Sequence, residues 1–246
     1  MKNCLCYIEN YNNGCNGFFC YITYFGKKIS VLITVAFDGN FLQNNNEIII
    51  SMDDNNMKLK IKLDLLYKNN EFIITIIKIH HNNILDEKNF LELDDDLFNN
   101  NSELIQNEKT LYALFYNSKN KDNSLLGSQN KKVQATFSYG YLNKKIESNL
   151  IYISKANSIG GPILNMKNNK VIGINIDIDY FMSKGTFLKY PLNELNKINK
   201  QINLTLYVDS YDIDKKIYFL NSDECGDEIK ELNEKKMKLY INDKQY

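Results

Sequence analysis

Short apolar runs separated by turn residues recur along the first third of the chain. They are GFFCYITYF (Gly17 to Phe25), ISVLITVAF (Ile29 to Phe37), NEIIISM (Asn46 to Met52), MKLKIKLDLLY (Met57 to Tyr67) and EFIITIIKI (Glu71 to Ile79). In MKLKIKLDL, apolar residues alternate with lysine or aspartate, which is the pattern of a strand with one face in water. EFIITIIKI is nearly all apolar, as in a strand buried on both faces. Runs this short and this closely spaced predict a barrel or a sandwich.

A second series of strand-like runs follows a polar, acidic interval that begins at His80. Its members are TLYALFY (Thr110 to Tyr116), KVQATFSYGYL (Lys132 to Leu142), NLIYIS (Asn149 to Ser154), GPILNM (Gly161 to Met166), KVIGINIDI (Lys170 to Ile178) and KGTFLKYPL (Lys184 to Leu192). Two strand sets around one linker predict two antiparallel β units of roughly 90 residues each.

The sequence changes character after Pro191. LNELNKINKQ predicts a short helix, and NLTLYVD, KKIYFL and MKLYIND predict three strands of a small appended module. The predicted domains are therefore an N-terminal β unit with its linker, a second β unit and a β-rich appendage. Their predicted bounds are residues 1–100, 101–195 and 196–246.

Charge and cysteine content limit the partners and the location of the protein. The chain has 30 basic residues, all lysine, and 30 acidic residues, so its formal net charge is zero. We therefore expect no binding to nucleic acid or to an acidic membrane surface. No segment has the pattern of a signal peptide or a membrane span. The 5 cysteines form no CxxC pair and no even set, which favours a reduced, intracellular location without a disulfide framework.

Several segments, taken together, resemble one protein family. They are GFFCYI with SVLITVAF, then EFIITIIKI, and ANSIGGPILNMKNNKVIGINI in the second half. They resemble the GTGFFCKI, LITNNHV, DITIIEI, GSSGGPIL and KVIGIH segments of trypsin-like serine proteases (chymotrypsin fold, PA clan) of the intracellular protist and fungal type. The resemblance extends from about residue 14 to residue 196. It implies an all-β fold of two antiparallel six-stranded β-barrels, with the active site in the cleft between them.

The catalytic positions that this resemblance implies carry apolar residues. Phe37 aligns with the general-base histidine of the family, Ile73 with the orienting aspartate and Ile159 with the nucleophilic serine. None can take its role, because the triad needs an imidazole, a carboxylate and a hydroxyl that act as a unit. If the fold is retained, the three side chains meet, and their burial contributes about 1.5 to 3 kcal/mol each. The sequence therefore predicts an inert hydrophobic plug and no catalytic residue.

The turn around the nucleophile position keeps part of the family's sequence. Its residues are Asn157, Ser158, Gly160, Gly161 and Pro162. Asn157 replaces the glycine that shapes the oxyanion turn, whereas the two glycines and the proline remain. Ser158 comes one residue before the nucleophile position and has no base within reach, so hydrogen bonding within the turn is its expected role.

Other residues that could bind a metal or act in catalysis are better explained by structural or solvent-exposed roles. His80 and His81 are neighbours on a strand, so their side chains point to opposite faces and cannot chelate one metal; we expect a structural or exposed role. Asp94 to Asp96 lack the spacing and the glycine of a calcium loop, which favours a solvated linker. No cysteine lies near Ile159 in the sequence to replace the nucleophile. We expect neither a metal nor a cofactor.

The resulting hypothesis is a pseudoprotease that acts as a protein-binding or structural component of a larger assembly, in the cell or in a viral particle. The sequence names neither the partner nor the oligomeric state. One alternative is a pseudoprotease that captures extended peptides in its cleft by strand addition. Another is a protease with a non-standard nucleophile, such as Ser158 or a cysteine.

Overall fold

The computed structural model describes residues 2–9, 14–52, 57–80, 85–98, 110–119, 132–146, 148–153, 158–178 and 182–198. Within these ranges the strands are β1 (Leu5–Ile8), β2 (Cys15–Tyr24), β3 (Lys27–Thr34), β4 (Glu47–Met52), β5 (Met57–Lys62), β6 (Leu65–Asn69), β7 (Ile74–Lys78), β8 (Thr110–Lys119), β9 (Lys132–Ile146), β10 (Asn149–Ile153), β11 (Pro162–Asn165), β12 (Val171–Ile178) and β13 (Ser183–Phe187). The helical segments are α1 (Gly39–Asn44), residues 189–198, and three short 3-10 helices at Lys2–Cys4, Glu87–Asn89 and Asp95–Phe98.

The first half of the fold is a seven-stranded sheet in the order β5-β4-β1-β2-β3-β7-β6. Every described pair in it is antiparallel. Its core contains buried side chains from several of these strands, among them Phe19, Leu32, Ile50 and Ile77. Gly17 lies where β2 passes β3, and a β-carbon there would come within 2.9 Å of Leu32. A glycine at this position therefore leaves room for the Leu32 side chain.

The second half is a closed barrel in the order β10-β13-β12-β11-β8-β9. The pair β9–β10 closes it, with a register shift between Ile151 and Tyr152. The buried Tyr152 hydroxyl donates to the Asn175 side-chain oxygen at 2.7 Å, which fixes the orientation of that amide inside the barrel. Burial raises the pKa of the Tyr152 hydroxyl well above its ordinary value, so it stays a proton donor.

The predicted all-β class is confirmed, and the first half differs from the prediction in strand number. The five predicted runs become seven strands for two reasons. The short segment LCYI forms β1, and the run from Met57 to Tyr67 divides into β5 and β6. The break falls at Leu63 and Asp64. The Leu63 N–H donates to the Asn46 carbonyl, and the Asp64 N–H donates to the Lys62 carbonyl. A local turn of this kind leaves little trace in the apolar pattern.

The short helix predicted after Pro191 is present. It covers residues 189–198, so it begins before Pro191. The chain forms two compact units, Met1–Leu192 and Asn193–Tyr246. The three strands predicted in the appended module lie outside the described residues, and the domain bounds 1–100, 101–195 and 196–246 stay predictions. None of the described helices is long and apolar enough to cross a membrane.

Candidate functional site

Phe37 lies three residues after the end of β3 and is 1% exposed. Its backbone N–H donates to the Thr75 hydroxyl oxygen at 3.0 Å. Its ring packs on that of Phe41 with 4.8 Å between the centroids. Asp38 caps the first turn of α1 by accepting the Phe41 N–H at 2.6 Å, which holds this second ring in place. The packed rings of Phe37 and Phe41 therefore fill the space at this position of the chain.

Ile159 packs against the same hydrophobic cluster that contains Phe37. Its carbonyl accepts two hydrogen bonds from Asn16, one from the main-chain N–H at 3.0 Å and one from the side-chain amide at 3.2 Å. Two of the three residues expected to form the plug, Phe37 and Ile159, thus lie in one apolar region.

Ile73 does not join that cluster, and the prediction of its burial is wrong. Its side chain is 37% exposed and its backbone is left-handed, with φ of 52°. Asn69 causes this turn, because its side-chain oxygen accepts the N–H groups of Glu71 at 2.7 Å and Phe72 at 2.9 Å. The Phe72 carbonyl then accepts the Thr186 hydroxyl of β13 at 2.7 Å. The main chain is fixed at Phe72, directly before Ile73, and by β7, which begins directly after it at Ile74, and the Ile73 side chain is left partly in water.

The turn before β11 is tied down by polar side chains. The Ser158 hydroxyl accepts a hydrogen bond from the Asn16 side-chain amide. The Ser158 main-chain carbonyl accepts one from the Asn175 side-chain amide at 2.8 Å. The Gly160 N–H donates to the Asn175 main-chain carbonyl at 2.7 Å, and the Asn175 N–H donates to the Gly161 carbonyl at 2.9 Å. Ser158 therefore has the hydrogen-bonding role expected of it. Asn157 lies outside the described residues.

Both glycines of the turn are required by close backbone contacts. Gly160 has φ of 86°, and a β-carbon on it would lie 2.0 Å from the Asn16 carbonyl oxygen. A β-carbon on Gly161 would lie 2.0 Å from the Leu114 carbonyl oxygen of β8. The turn is thus pressed between β2 and β8, and Pro162 begins β11 directly after it.

Asn16 is the residue at this site that the sequence analysis missed. It lies on β2 and is fully buried. Its side-chain oxygen accepts the Tyr116 N–H of β8 at 2.6 Å, and its main-chain carbonyl accepts the Thr34 hydroxyl at 2.7 Å. An asparagine inside the buried run of β2 was the available signal, but it was hidden by the many other asparagines of the chain.

The thiol nearest to Asn16 in sequence is held in its protonated form. The Cys15 sulfur lies 3.6 Å from the Thr34 hydroxyl oxygen. Burial raises the pKa of Cys15 to about 12, so the thiolate is scarce at neutral pH. The four described cysteines, Cys4, Cys6, Cys15 and Cys20, are all free and buried. Cys225 lies outside the described residues.

The two other candidate groups are His80 with His81 and the acidic run from Asp94 to Asp96. His80 is exposed, and its Nε2 lies 2.6 Å from an Asp64 carboxylate oxygen, in agreement with the exposed role expected; His81 lies outside the described residues. The solvated-linker prediction is wrong for Asp94, which is 2% exposed. The described residues contain no group of three or more metal-ligating side chains.

Asp94 is buried because distant amides pair with it. Its carboxylate accepts the side-chain amides of Asn165 at 2.8 Å and Asn168 at 3.0 Å. Its neighbour Asp95 is exposed and pairs with Lys170 at 2.5 Å. The side chain of Asp96 lies outside the described part. The acidic run therefore fastens the linker to the turn between β11 and β12.

Comparison of the sequence with protein-family models and with curated proteins finds no match. Solved structures do match the fold. Deg5 gives a TM-score of 0.52 at 15% identity, over 78% of this chain and 87% of the Deg5 chain. A human pathogenic astrovirus serine protease gives 0.49 at 13% identity, over 76% of this chain and 90% of the other. The catalytically active tobacco etch virus protease complexed with product gives 0.49 at 12% identity, over 76% of this chain and 73% of the other.

The likeness to Deg5 shows the fold. The chain has the all-β, trypsin-like architecture that its segments predicted, with one closed six-stranded barrel and a second sheet.

Proposed function

We propose that this chain is a catalytically inactive trypsin-like serine protease homologue of the intracellular type. In this proposal Phe37, Ile73 and Ile159 stand at the base, orienter and nucleophile positions of the lost triad. The protein acts as a protein-binding or structural component of a larger assembly, in the cell or in a viral particle. It uses no metal and no cofactor.

The hydrogen bond from the Asn16 amide to the Ser158 hydroxyl is the observation that carries the proposal. A serine becomes nucleophilic when a neighbouring base takes its proton. A side-chain amide donates a hydrogen bond but takes no proton at neutral pH. The group that faces this hydroxyl therefore cannot activate it.

The burial of Phe37 supports the same proposal. A catalytic base must reach the nucleophile and exchange protons, and a phenyl ring has no atom that can do so. The ring is instead 1% exposed and packed on Phe41. Filling a former polar site with apolar side chains stabilises a fold, and it carries no functional cost once activity is lost.

A covalent probe tests the inactivity. The folded chain is treated with a fluorophosphonate, alongside an active trypsin-like protease and the Ser158→Ala variant. We expect labelling of the active protease and none of this chain. Stoichiometric labelling that maps to Ser158 and disappears in Ser158→Ala would overturn the proposal and would favour the non-standard nucleophile.

A quantitative affinity capture tests the role in an assembly. The tagged chain is recovered from cells that naturally contain it, and co-purifying proteins are quantified against the bait. A fixed, stoichiometric set of partners is expected of a structural component. Recovery of the bait alone contradicts that role.

The length of β12 favours a second candidate, the capture of extended peptides. β12 pairs with β11 up to Ile174, and the Asn175 bonds to the glycine turn continue this pairing. The strand runs on to Ile178. A peptide that added beside residues 176–178 would extend the sheet by main-chain hydrogen bonds.

Immobilised libraries of extended peptides test this candidate. Retention above the level of D-amino-acid peptides of the same composition, which cannot pair in the same way, supports it. Equal retention of both libraries removes it and leaves the structural role.

A further inference from the structure

A cleft of about 660 Å³ is lined by residues of β2, β3, the end of β7 and the linker segment 85–98. Its lining includes Tyr21, Lys78, Glu87 and Phe90, and we refer to the space between these four residues as the linker cleft. Ligand sites in proteins have volumes of roughly 300 to 1,000 Å³. The linker cleft is therefore large enough for a small molecule, and it is too large for a single amino acid to fill.

The linker cleft is separate from the position of Phe37. Lys28 lines the cleft near the start of β3, whereas Phe37 follows the end of that strand at Thr34. At about 3.3 Å per residue, the strand carries the chain roughly 20 Å from Lys28 to Thr34. An inference about this cleft therefore does not depend on the loss of catalysis.

An aromatic pair forms an apolar wall of the linker cleft. The rings of Tyr21 on β2 and Phe90 in the linker stack with 4.8 Å between their centroids and 30° between their planes. Phe90 also packs edge to face on the fully buried Phe19, at 5.7 Å between centroids. The Leu91 N–H donates to the Phe19 carbonyl at 2.9 Å, and the Leu91 carbonyl accepts the Tyr21 N–H at 3.0 Å. A wall held in this way loses little conformational freedom when a ligand binds.

Three charged residues of the lining, Lys28, His80 and Glu92, already have partners. The Lys28 ammonium lies 4.2 Å from the centroid of the Tyr21 ring and 3.6 Å from a Glu92 carboxylate oxygen. The Nε2 atom of His80 lies 2.6 Å from a carboxylate oxygen of Asp64. These contacts balance the charges of the three residues, so they contribute little preference for the sign of a ligand's charge.

Glu87 and Lys78 are charged lining residues that form no ion pair among the described residues. Glu87 belongs to the linker and Lys78 ends β7, so a negative and a positive group come from different elements of the lining. Burial and the nearby carboxylates of Glu87 and Glu92 raise the pKa of the Tyr21 hydroxyl, so Glu87 lies close to the aromatic pair. A ligand of one charge meets a like charge here, whereas a ligand with both signs is complementary to both residues.

We propose that the linker cleft binds a short linear peptide in its zwitterionic form, of about two or three residues, the size that its volume accommodates. The free amino group of the peptide pairs with Glu87 and its free carboxylate pairs with Lys78, while an apolar side chain packs on Phe90. The hydroxyl groups of Tyr21 and Ser30, two further lining residues, hydrogen-bond the main chain of the peptide. A longer extended peptide carries its charged ends too far apart to reach both Glu87 and Lys78.

Isothermal titration calorimetry of the full chain with the tripeptide alanyl-phenylalanyl-alanine tests the proposal. The N-acetylated and C-amidated forms of the same peptide each lack one of its two charges. We expect the free peptide to bind at one site and each capped form to bind about fivefold more weakly or worse, since each loses one charged contact. Equal affinities of the free and capped peptides overturn the proposal, as does the absence of binding by the free peptide at millimolar concentration.

Two variants assign the ends of the bound peptide. Glu87→Gln is expected to bind the free and N-acetylated peptides equally, and Lys78→Met to bind the free and C-amidated peptides equally. The controls Glu71→Gln and Lys62→Met remove exposed charges that do not line the linker cleft, and they are expected to keep the wild-type preferences. Unchanged preferences in folded Glu87→Gln and Lys78→Met also overturn the proposal. The capped peptides are compared on the wild-type chain, so that result does not depend on the folding of any variant.

Discussion

The main-chain N–H of Tyr116 donates to the side-chain oxygen of Asn16 at 2.6 Å, and this bond joins the barrel to the first sheet. Both residues are buried, at 1% and 0% exposure. The same amide donates to the Ser158 hydroxyl and to the Ile159 carbonyl. The Asn16 side chain thus bonds to polar groups of both β8 and the turn before β11. Leaving any of these buried groups without a hydrogen bond would cost free energy of folding.

Replacement of Asn16 by alanine is expected to destabilise the fold by roughly 3 kcal/mol, because it leaves several buried polar groups unsatisfied. The free energy of unfolding, measured in urea, checks this value. Asn40→Ala is the matched control, since Asn40 is exposed on α1 and its loss is expected to leave the midpoint unchanged. Equal losses in the two variants would contradict the role given to Asn16.

The sequence predicted what depends on local pattern and missed what depends on distant partners. Strand positions follow from alternation and apolar runs, which are properties of neighbouring residues, whereas the expected burial of Phe37 came from the resemblance to the protease family. Asn16 bonds with Tyr116, 100 positions away, and Asp94 bonds with Asn165, 71 positions away. No pattern near either residue contains that information. The exposure of Ile73 is an exception, because the turn that sets it is made locally by Asn69 and only the bond from Thr186 to Phe72 comes from a distant residue.

Replacement of Ile73 by asparagine is expected to stabilise the protein by about 1 kcal/mol. A β-branched residue is strained at a φ of 52°, whereas asparagine adopts this left-handed conformation readily. Urea unfolding checks the gain. Leu65→Asn serves as the control because Leu65 is similarly exposed, at 42%, but lies in the edge strand β6 without positive φ. A gain in both variants would show that the effect comes from lost surface hydrophobicity.

Replacement of Asp94 by alanine is expected to cost about 2 kcal/mol, because the Asn165 and Asn168 amides lose their buried acceptor. The adjacent Asp95→Ala is the control. Its carboxylate is 84% exposed in the pair with Lys170, and such exposed pairs contribute little. Thermal unfolding of both variants separates the two roles, and a larger loss for Asp95→Ala would refute the distinction.

The buried thiols are expected to make the fold less stable at alkaline pH. Burial raises the pKa of Cys15 to about 12, whereas a thiol in the unfolded chain has a pKa of about 8.5. Between these values the unfolded chain has lost a proton that the native chain keeps, so rising pH favours unfolding. The free energy of unfolding should fall by up to about 1.4 kcal/mol per pH unit for this group.

The variant Cys15→Val isolates the contribution of this thiol. Above pH 9 the free energy of unfolding of this variant should fall less steeply with pH than that of the wild type. The difference between the two slopes should be at most about 1.4 kcal/mol per pH unit, the contribution of one thiol. At neutral pH, Cys4, Cys6, Cys15 and Cys20 should resist iodoacetamide in the native state and react in urea, since all four are buried. Rapid native labelling of Cys15 would contradict the burial that underlies both expectations.

Restoring the proposed triad in full is expected not to restore proteolysis. In the variant Phe37→His, Ile73→Asp, Ile159→Ser, the new carboxylate stands at a position whose present side chain is 37% exposed, while the new imidazole stands at one that is 1% exposed. A carboxylate in water orients a buried imidazole poorly, and the triad works only as a unit. Fluorophosphonate labelling of the folded variant should therefore match that of the same chain with Ile159→Ala. Labelling at residue 159 that depends on the new histidine would show that the loop from Asn69 to Ile73 can turn its side chain inward, and that loss of the three side chains alone had silenced the cleft.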